Sequence, residues 1–337
     1  MRRQSVKGLL ALALLCAGPP CAVRAEMPPR LADTGLFVAG SASIVRADVL
    51  AFTPQYPLWS DGATKRRWIW LPPGSSIDAA RPDAWEFPVG TKLWKEFSHG
   101  SRLETRYIER QPDGRWAFAS YVWTSGRDAA LAPPAGIREL AAPAAPGGYY
   151  AVPSEADCRA CHEGAPVPVL GFSALQLSPD RDPLALHADS AAETLDLRSL
   201  VARGLLRNLP AELLVRPPRI AAASPVERAA LGYLHGNCGH CHNDDGPLAV
   251  LEMSLAQRVA PPAGDGVLRS LVGVRSQFRA GANDTIRVEP GHAAASVLAQ
   301  RMNSRDPLRQ MPPLGTSTAD AAALALIASW IEGLSVH

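Results

Sequence analysis

The chain has 337 residues, 20% of them charged, with 34 basic and 32 acidic side chains and a formal net charge of +2. A balance this close to neutral excludes the basic footprint of a nucleic-acid binder and the polybasic face of a membrane-surface protein.

Residues 1–25 read as a signal peptide. Arg2, Arg3 and Lys7 precede a short apolar run from Gly8 to Leu15, and Val23-Arg24-Ala25 offers a cleavage site before Glu26. The run is too short for a stable membrane span, so the expectation is a periplasmic protein. These 25 residues carry four of the basic and none of the acidic residues, which leaves 30 against 32. They also hold Cys16 and Cys21, so four of the six cysteines remain in a mature chain of 312 residues, 337 less 25. That length predicts two or three domains.

Residues 26–150 read as a β-rich domain. Seven of the eight tryptophans fall between Trp59 and Trp123, in short segments of alternating polarity. Segments 66–71 and 92–97 are bounded by Pro72-Pro73-Gly74 and Pro88-Val89-Gly90. Segments 103–108 and 116–123 flank Gln111-Pro112-Asp113-Gly114, a strong turn signal. The alternation predicts one buried and one wet face, hence a small sandwich or barrel-like sheet. Residues 141–148, rich in Ala, Pro and Gly, read as a linker.

In the next region, 151–222, Ser154-Glu155-Ala156-Asp157 has the form of a helix N-cap with an acidic residue at N3. A short helix through Cys158-Arg159-Ala160-Cys161-His162 should follow. Leu197, Leu200, Val201 and Leu205 share one side of a second helix. The last domain, 223–337, opens with Ser224-Pro225-Val226-Glu227, which combines proline at N1 with a capping box. Its helix passes Leu231 and Leu234 and delivers Cys238-Gly239-His240-Cys241-His242. A final helix from about Ser317 carries Leu324, Ile327, Ala328, Ile331 and Leu334 on one stripe.

The chemistry resides in the repeated Cys-x-x-Cys-His pentapeptide, the attachment pattern for c-type haem. Cys158 and Cys161, and again Cys238 and Cys241, would form thioethers to the porphyrin vinyl groups. His162 and His242 would then meet the two irons. All four mature cysteines are used, and a reading as disulfides or zinc must explain a histidine directly after each pair. Two covalently attached haems per chain are therefore expected. The carbonyls of Pro166 and Pro247 are candidates to orient the two proximal imidazoles.

For the second iron the distal ligand is Met311, 69 positions after His242 (311 less 242) and followed by two prolines that restrict its loop. Met302 is the competing methionine. A thioether favours Fe(II) and raises the reduction potential. For the first iron there is no methionine between His162 and the last domain, and His187 is the only histidine there. Its sixth position is filled by His187 or His235, by the remoter His99 or His292, or left open. The tryptophans would serve as sheet core and as haem-facing cover.

The order of helix with haem motif, irregular loop, methionine before proline and closing helix resembles a class I cytochrome c domain. Over nearly all of the mature chain, Tyr56-Pro57-Leu58-Trp59-Ser60-Asp61, Phe87-Pro88-Val89-Gly90-Thr91, Glu104-Thr105-Arg106 and the two haem motifs together resemble a family of bacterial di-haem c-type cytochromes. That family has a β-rich N-terminal region and is mostly without an assigned physiological role. The resemblance implies an α+β multidomain fold, a β-rich domain followed by mainly α-helical c-type cytochrome regions.

Two function classes follow. One is an electron carrier between redox partner proteins, either other cytochromes or a dehydrogenase of which this chain is the cytochrome subunit. The other is a peroxidase-like di-haem enzyme with one open iron site, although no distal acid–base group is assignable. The carrier is the expected function, with no nucleic-acid partner. Residues 224–337 carry their own caps, ligands and closing helix, so they are expected to fold alone.

Overall fold

The computed structural model describes residues 27–124, 127–189, 195–260, 266–278 and 285–335; the leader 1–25 lies outside the described residues. The chain combines a β-rich sheet region with several helices, and among the described residues no helix is long and apolar enough to cross a membrane.

The first strands are β1 (Leu50–Ala51), β2 (Thr64–Trp70), β3 (Ile77–Asp78), β4 (Lys92–His99), β5 (Ser101–Arg110), β6 (Trp116–Trp123) and β7 (Ala129–Leu131). All but β3 form one antiparallel sheet in the order β1-β2-β4-β5-β6-β7. The β5–β6 turn is the one the sequence signals, with Gly114 at φ 81° donating to the Gln111 carbonyl. Alternation sorts the side chains onto two faces. On one face Trp68, Trp94, Tyr107, Tyr121 and Trp123 pack against Leu31, Leu36 and Phe37. On the other, Ile69, Leu93, Ile108 and Phe118 pack against Val169, Phe172, Leu177 and Leu197.

Both faces are therefore covered. Seven consecutive buried residues in β6 record this directly. The expected wet face does not exist, because the chain before β1 closes one side and the segment after residue 155 closes the other. The expected linker is also something else. Residues 142–148 are the turn of a hairpin between β8 (Ile137–Ala141) and β9 (Tyr149–Val152), with Ala142 and Ala145 buried. Gly147 and Gly148, at φ 71° and 80°, take the left-handed backbone that the turn needs.

The first haem-type motif occupies α1 (Glu155–His162), capped as expected. The Ser154 side chain accepts from Asp157 N, and Asp157 reaches back to Ser154 N. Then come α2 (Leu197–Ala202), β10 (Leu206–Arg207), which pairs in parallel with β3, and α3 (Glu212–Val215). Sheet and first motif region thus share one core rather than two.

The helix α4 (Pro225–Asn237) starts at the Ser224 cap. The Glu227 side chain does not close the box onto Ser224. It accepts instead from Ala223 N at 2.8 Å and Trp330 Nε1 at 3.3 Å, tying α4 to the closing helix. After α5 (Gly266–Leu271) and α6 (Val297–Asn303), α7 (Ala321–Glu332) packs on α4 through Ile327, Trp330 and Ile331.

That last core is not self-contained. Tyr56, 2% exposed, belongs to it, lying against α4 where Gly232 and Gly236 leave room; a Cβ on Gly232 would sit 2.0 Å from the Tyr56 ring. Trp59 N donates to Asn237 Oδ1 at 2.7 Å, and Asp61 accepts from the backbone and hydroxyls of Ser317 and Thr318. Segment 56–61 is a clasp between the sheet and the C-terminal helices.

The cap of α7 is Asp320, which accepts from Ala323 N at 3.1 Å and from His187 Nε2 at 2.7 Å. Burial pushes this carboxyl up, but the bonds from His187 and Ala323 outweigh it and hold it below the ordinary carboxylate value. Asp320→Ala is expected to cost about 1–3 kcal/mol in chemical denaturation, a lost cap plus an orphaned partner. Because the folded pKa is depressed, the stabilisation is complete above the unfolded value of about 4 and is lost as pH falls through the folded one. The difference between wild type and variant should shrink in acid.

Candidate cofactor site

The two Cys-x-x-Cys-His segments open into one mainly apolar cavity of about 660 Å³, with Cys161, His162, Cys238, Cys241 and His242 on its wall. Their backbones touch. Buried Asn243 donates through Nδ2 to the carbonyls of Gly164, Gly239 and His240 at 2.9, 3.1 and 3.2 Å. A Cβ on Gly246 would lie 2.3 Å from the Gly164 carbonyl oxygen, so glycine is required by the close approach. Cys241 Sγ lies 4.0 Å from the Ala160 carbonyl oxygen, so the second motif reaches the turn that carries the first.

In the first half of the site, α1 lies over the sheet. The His162 ring is 5.2 Å from that of Phe118, and Cys158 packs into the apolar core at the sheet surface. Burial pushes the Cys158 thiol up to about 11 and the His162 imidazole down to about 4. Both are neutral near pH 7. The His162 Nδ1 lies 2.6 Å from the Pro168 carbonyl. Pro168 takes the place expected of Pro166, because the chain leaves α1 through a turn and comes back over the ring two residues later. With Nδ1–H given to that carbonyl, the Nε2 lone pair is the one left for a metal.

In the second half, the motif follows the end of α4. Cys238 caps the helix, and Cys241 N and His242 N both donate to the Cys238 carbonyl at 3.1 and 2.9 Å. His242 is buried and its imidazole is pushed down to about 4 by burial. Its Nδ1 has no partner among the described residues. Pro247 is on the cavity wall but does not bond it. Met311 and Met302 both reach the wall. Met311 stands in a loop bonded to the end of α6 through Met311 N and the Arg301 carbonyl at 2.9 Å. Met302 is 7% exposed and belongs to the C-terminal core. Arg305 fixes both strands of this loop, donating to the Met302 carbonyl at 2.6 Å and to Thr316 Oγ1 at 2.9 Å.

The two histidines read as sixth ligands of the first iron are employed elsewhere. His187 is bonded to Asp320. His235 accepts the Gln257 backbone N–H through Nδ1 at 3.1 Å, which leaves the proton on Nε2 and no free lone pair. Neither is on the cavity wall, nor are His99 and His292. His240 is on the wall, between the two motifs.

The tryptophans divide: Trp59 and Trp94 contribute to the cavity wall, Trp85 and Trp116 pack in the core on that side of the sheet, and Trp68 and Trp123 pack on the far side, where Trp94 Nε1 also donates to Thr34 Oγ1. The side chains that face the cavity from β2, β4 and β5 include Arg67, Leu93, Lys95, Arg106 and Ile108. The cations among them went unread in the sequence. Each alternates along its strand with side chains of the other face, and only strand register brings the three together.

The residues present suit a haem. Two pairs of half-buried thiols stand beside two neutral imidazoles, one of them held by a carbonyl, over an apolar void with a thioether on its wall. Among the described residues no three His, Cys, Asp or Glu side chains converge as a closed zinc site requires. Comparison of the chain with protein-family models, with curated proteins and with solved structures yields no match.

Proposed function

We propose that the chain is a periplasmic di-haem c-type cytochrome that passes electrons between redox partner proteins. The observation that carries this reading is the convergence of two Cys-x-x-Cys-His segments, each with a neutral imidazole, on one apolar cavity. Cys158 and Cys161 would hold one haem and Cys238 and Cys241 the other, with His162 and His242 as proximal ligands and Met311 as the distal ligand of the second. Haem so held supplies one-electron Fe(III)/Fe(II) exchange.

The chain's own groups set the conditions for it. The Pro168 carbonyl orients His162 and raises its basicity as a ligand. Apolar side chains exclude water and so fix the local dielectric. The bonds of Asn243 hold the two motif turns against each other, which keeps two haems in one compartment and makes internal electron exchange short-range.

The mass of the secreted full chain, with a haem-stained denaturing gel, tests the reading. Two haem additions on a chain starting near Glu26 are expected; one addition, or titratable thiols at Cys158 or Cys238, would end it.

The second reading is a redox enzyme with one open iron. It is favoured by the engagement of His187 and His235 away from the cavity. The two readings part on the response of the first haem to an added ligand.

A further inference from the structure

The cavity-facing side of the sheet carries a row of like charges. Arg67 on β2 is paired in register with Lys95 on β4, and Lys95 with Arg106 on β5. Residues directly opposite have Cβ atoms about 5 Å apart, where like charges repel. All three line the cavity, and Lys65 stands one step along the same face. The charges are poorly compensated. Arg106 is spent on buried Glu104, with bonds of 2.9 and 3.0 Å, and the second Glu104 oxygen also accepts from Tyr150. Lys65 donates to the Ala63 carbonyl. Arg67, 8% exposed, makes no side-chain hydrogen bond or ion pair among the described residues. Among the described residues Lys95 offers its ammonium to the Phe97 ring, 4.9 Å from the centroid, and to no hydrogen-bond acceptor.

Burying unpaired cations in register is costly. The cost is visible as a fall of the Arg67 pKa to about 10 and of Lys95 well below its ordinary value, in both cases from burial first. The arginines of the other half show the contrast: Arg287 there donates to the carbonyls of Leu251, Glu252 and Ser270 at 2.6–2.8 Å.

The row also has a direction. Its Arg106 end is the one on the cysteine side, since α1 packs on β6, the neighbour of β5, with the His162 ring 5.2 Å from that of Phe118. Lys95 lies one strand further and Arg67 two, a distance of about 9–10 Å at ordinary strand spacing. In a haem the carboxylates lie on the edge opposite the vinyl groups that cysteines capture. A ring anchored at Cys158 and Cys161 therefore presents its anions one ring-width from the cysteines, and that is the end of the row where the uncompensated cations stand.

We propose that Arg67 and Lys95 are the seat of the propionate carboxylates of the haem carried by Cys158 and Cys161. The inference rests on the di-haem reading and assigns to the sheet the role of fixing and charge-balancing the first haem. Arg67 would provide the two-pronged contact that a guanidinium makes with a carboxylate, and Lys95 a point charge beside it.

The test uses the full haem-loaded chain and the variants Arg67→Gln, Lys95→Gln and Arg67→Lys. Intact mass comes first. If Cys158 and Cys161 carry no haem, the proposed function falls and this inference with it. With both haems in place, Arg67→Gln should lower one of the two reduction midpoints and leave the other unchanged, since loss of a cation favours the more positive Fe(III) form. The propionate bending band of that haem in resonance Raman should shift, Lys95→Gln should act in the same sense, and Arg67→Lys should restore part of the midpoint. Unchanged midpoints and bands in both glutamine variants would overturn the inference alone. So would saturable binding of added succinate to the wild-type di-haem chain that is lost in Arg67→Gln, because the row would then be vacant for a free anion.

Discussion

Tyr56→Ala should lower the stability of the whole chain by about 3–5 kcal/mol, the range for removing a large aromatic ring from a core. The ring fills the groove made by Gly232 and Gly236 on α4, while the Tyr56 hydroxyl donates to Asp182 at 3.0 Å. Asp182 is itself buried beside Arg228, which is 4% exposed and bonded to the Asp180 carbonyl. Removing the ring therefore opens a cavity and strips a partner from a buried ionic group. Tyr56→Phe keeps the ring and orphans only the hydroxyl's partner, at about 1–3 kcal/mol. Urea denaturation should rank wild type above Tyr56→Phe and Tyr56→Ala last. Equal midpoints for the two variants would show that the ring does not seat against α4. The same contacts reverse the expectation that residues 224–337 fold alone. That fragment would expose the groove, the Arg228 guanidinium and the Asn237 amide that Pro57 and Trp59 satisfy, so it is expected to aggregate or to recover only when residues 56–61 are restored.

What the sequence declared was local chemistry. The Ser154 and Ser224 caps, the Gln111–Gly114 turn and the two motifs are decided by neighbours a few positions apart, and each is where the residues indicated. The missed features depend on strand register, on a turn or on contacts between separate segments of the chain. The groove for Tyr56 reads in sequence as two helix glycines, which look merely unfavourable until the partner 176 positions away (232 less 56) is seen. The cation row depends on register, and a slip of one residue would have sent all three cations to the other face. Residues 142–148 had linker composition because a tight turn needs the same glycines and prolines as a linker does. The histidines were left open between several candidates for a different reason. Reach along the chain says nothing about which nitrogen is already bonded, and Asp320 and the Gln257 N–H claim His187 and His235.

Met311→Ala should abolish the near-infrared sulfur-to-iron charge-transfer band of the oxidised protein entirely, while that band accounts for one haem in the wild type. Met311 and Met302 both stand on the wall of the second half-site, so the assignment depends on which side chain can leave its packing. Met302 is held in the C-terminal core on α6, whereas Met311 is half-buried on a loop and free to present its sulfur. Met302→Ala should accordingly leave the band in place and act only on stability, by about 2–5 kcal/mol. Loss of the thioether in Met311→Ala should also lower the second haem's midpoint, since sulfur ligation favours Fe(II). The first haem supplies the internal comparison. His187 and His235 are bonded away from the cavity, so the first iron decides between the two readings: cyanide bound by the oxidised wild type at one haem without prior reduction would favour the enzyme, and Met311→Ala would then bind it at both. A band that survives Met311→Ala, or that integrates to two haems, would refute distinct ligation of the two irons. A wild type that excludes cyanide from both would instead require a protein ligand at the first iron. The open-site reading would then be lost, and the carrier reading would stand alone.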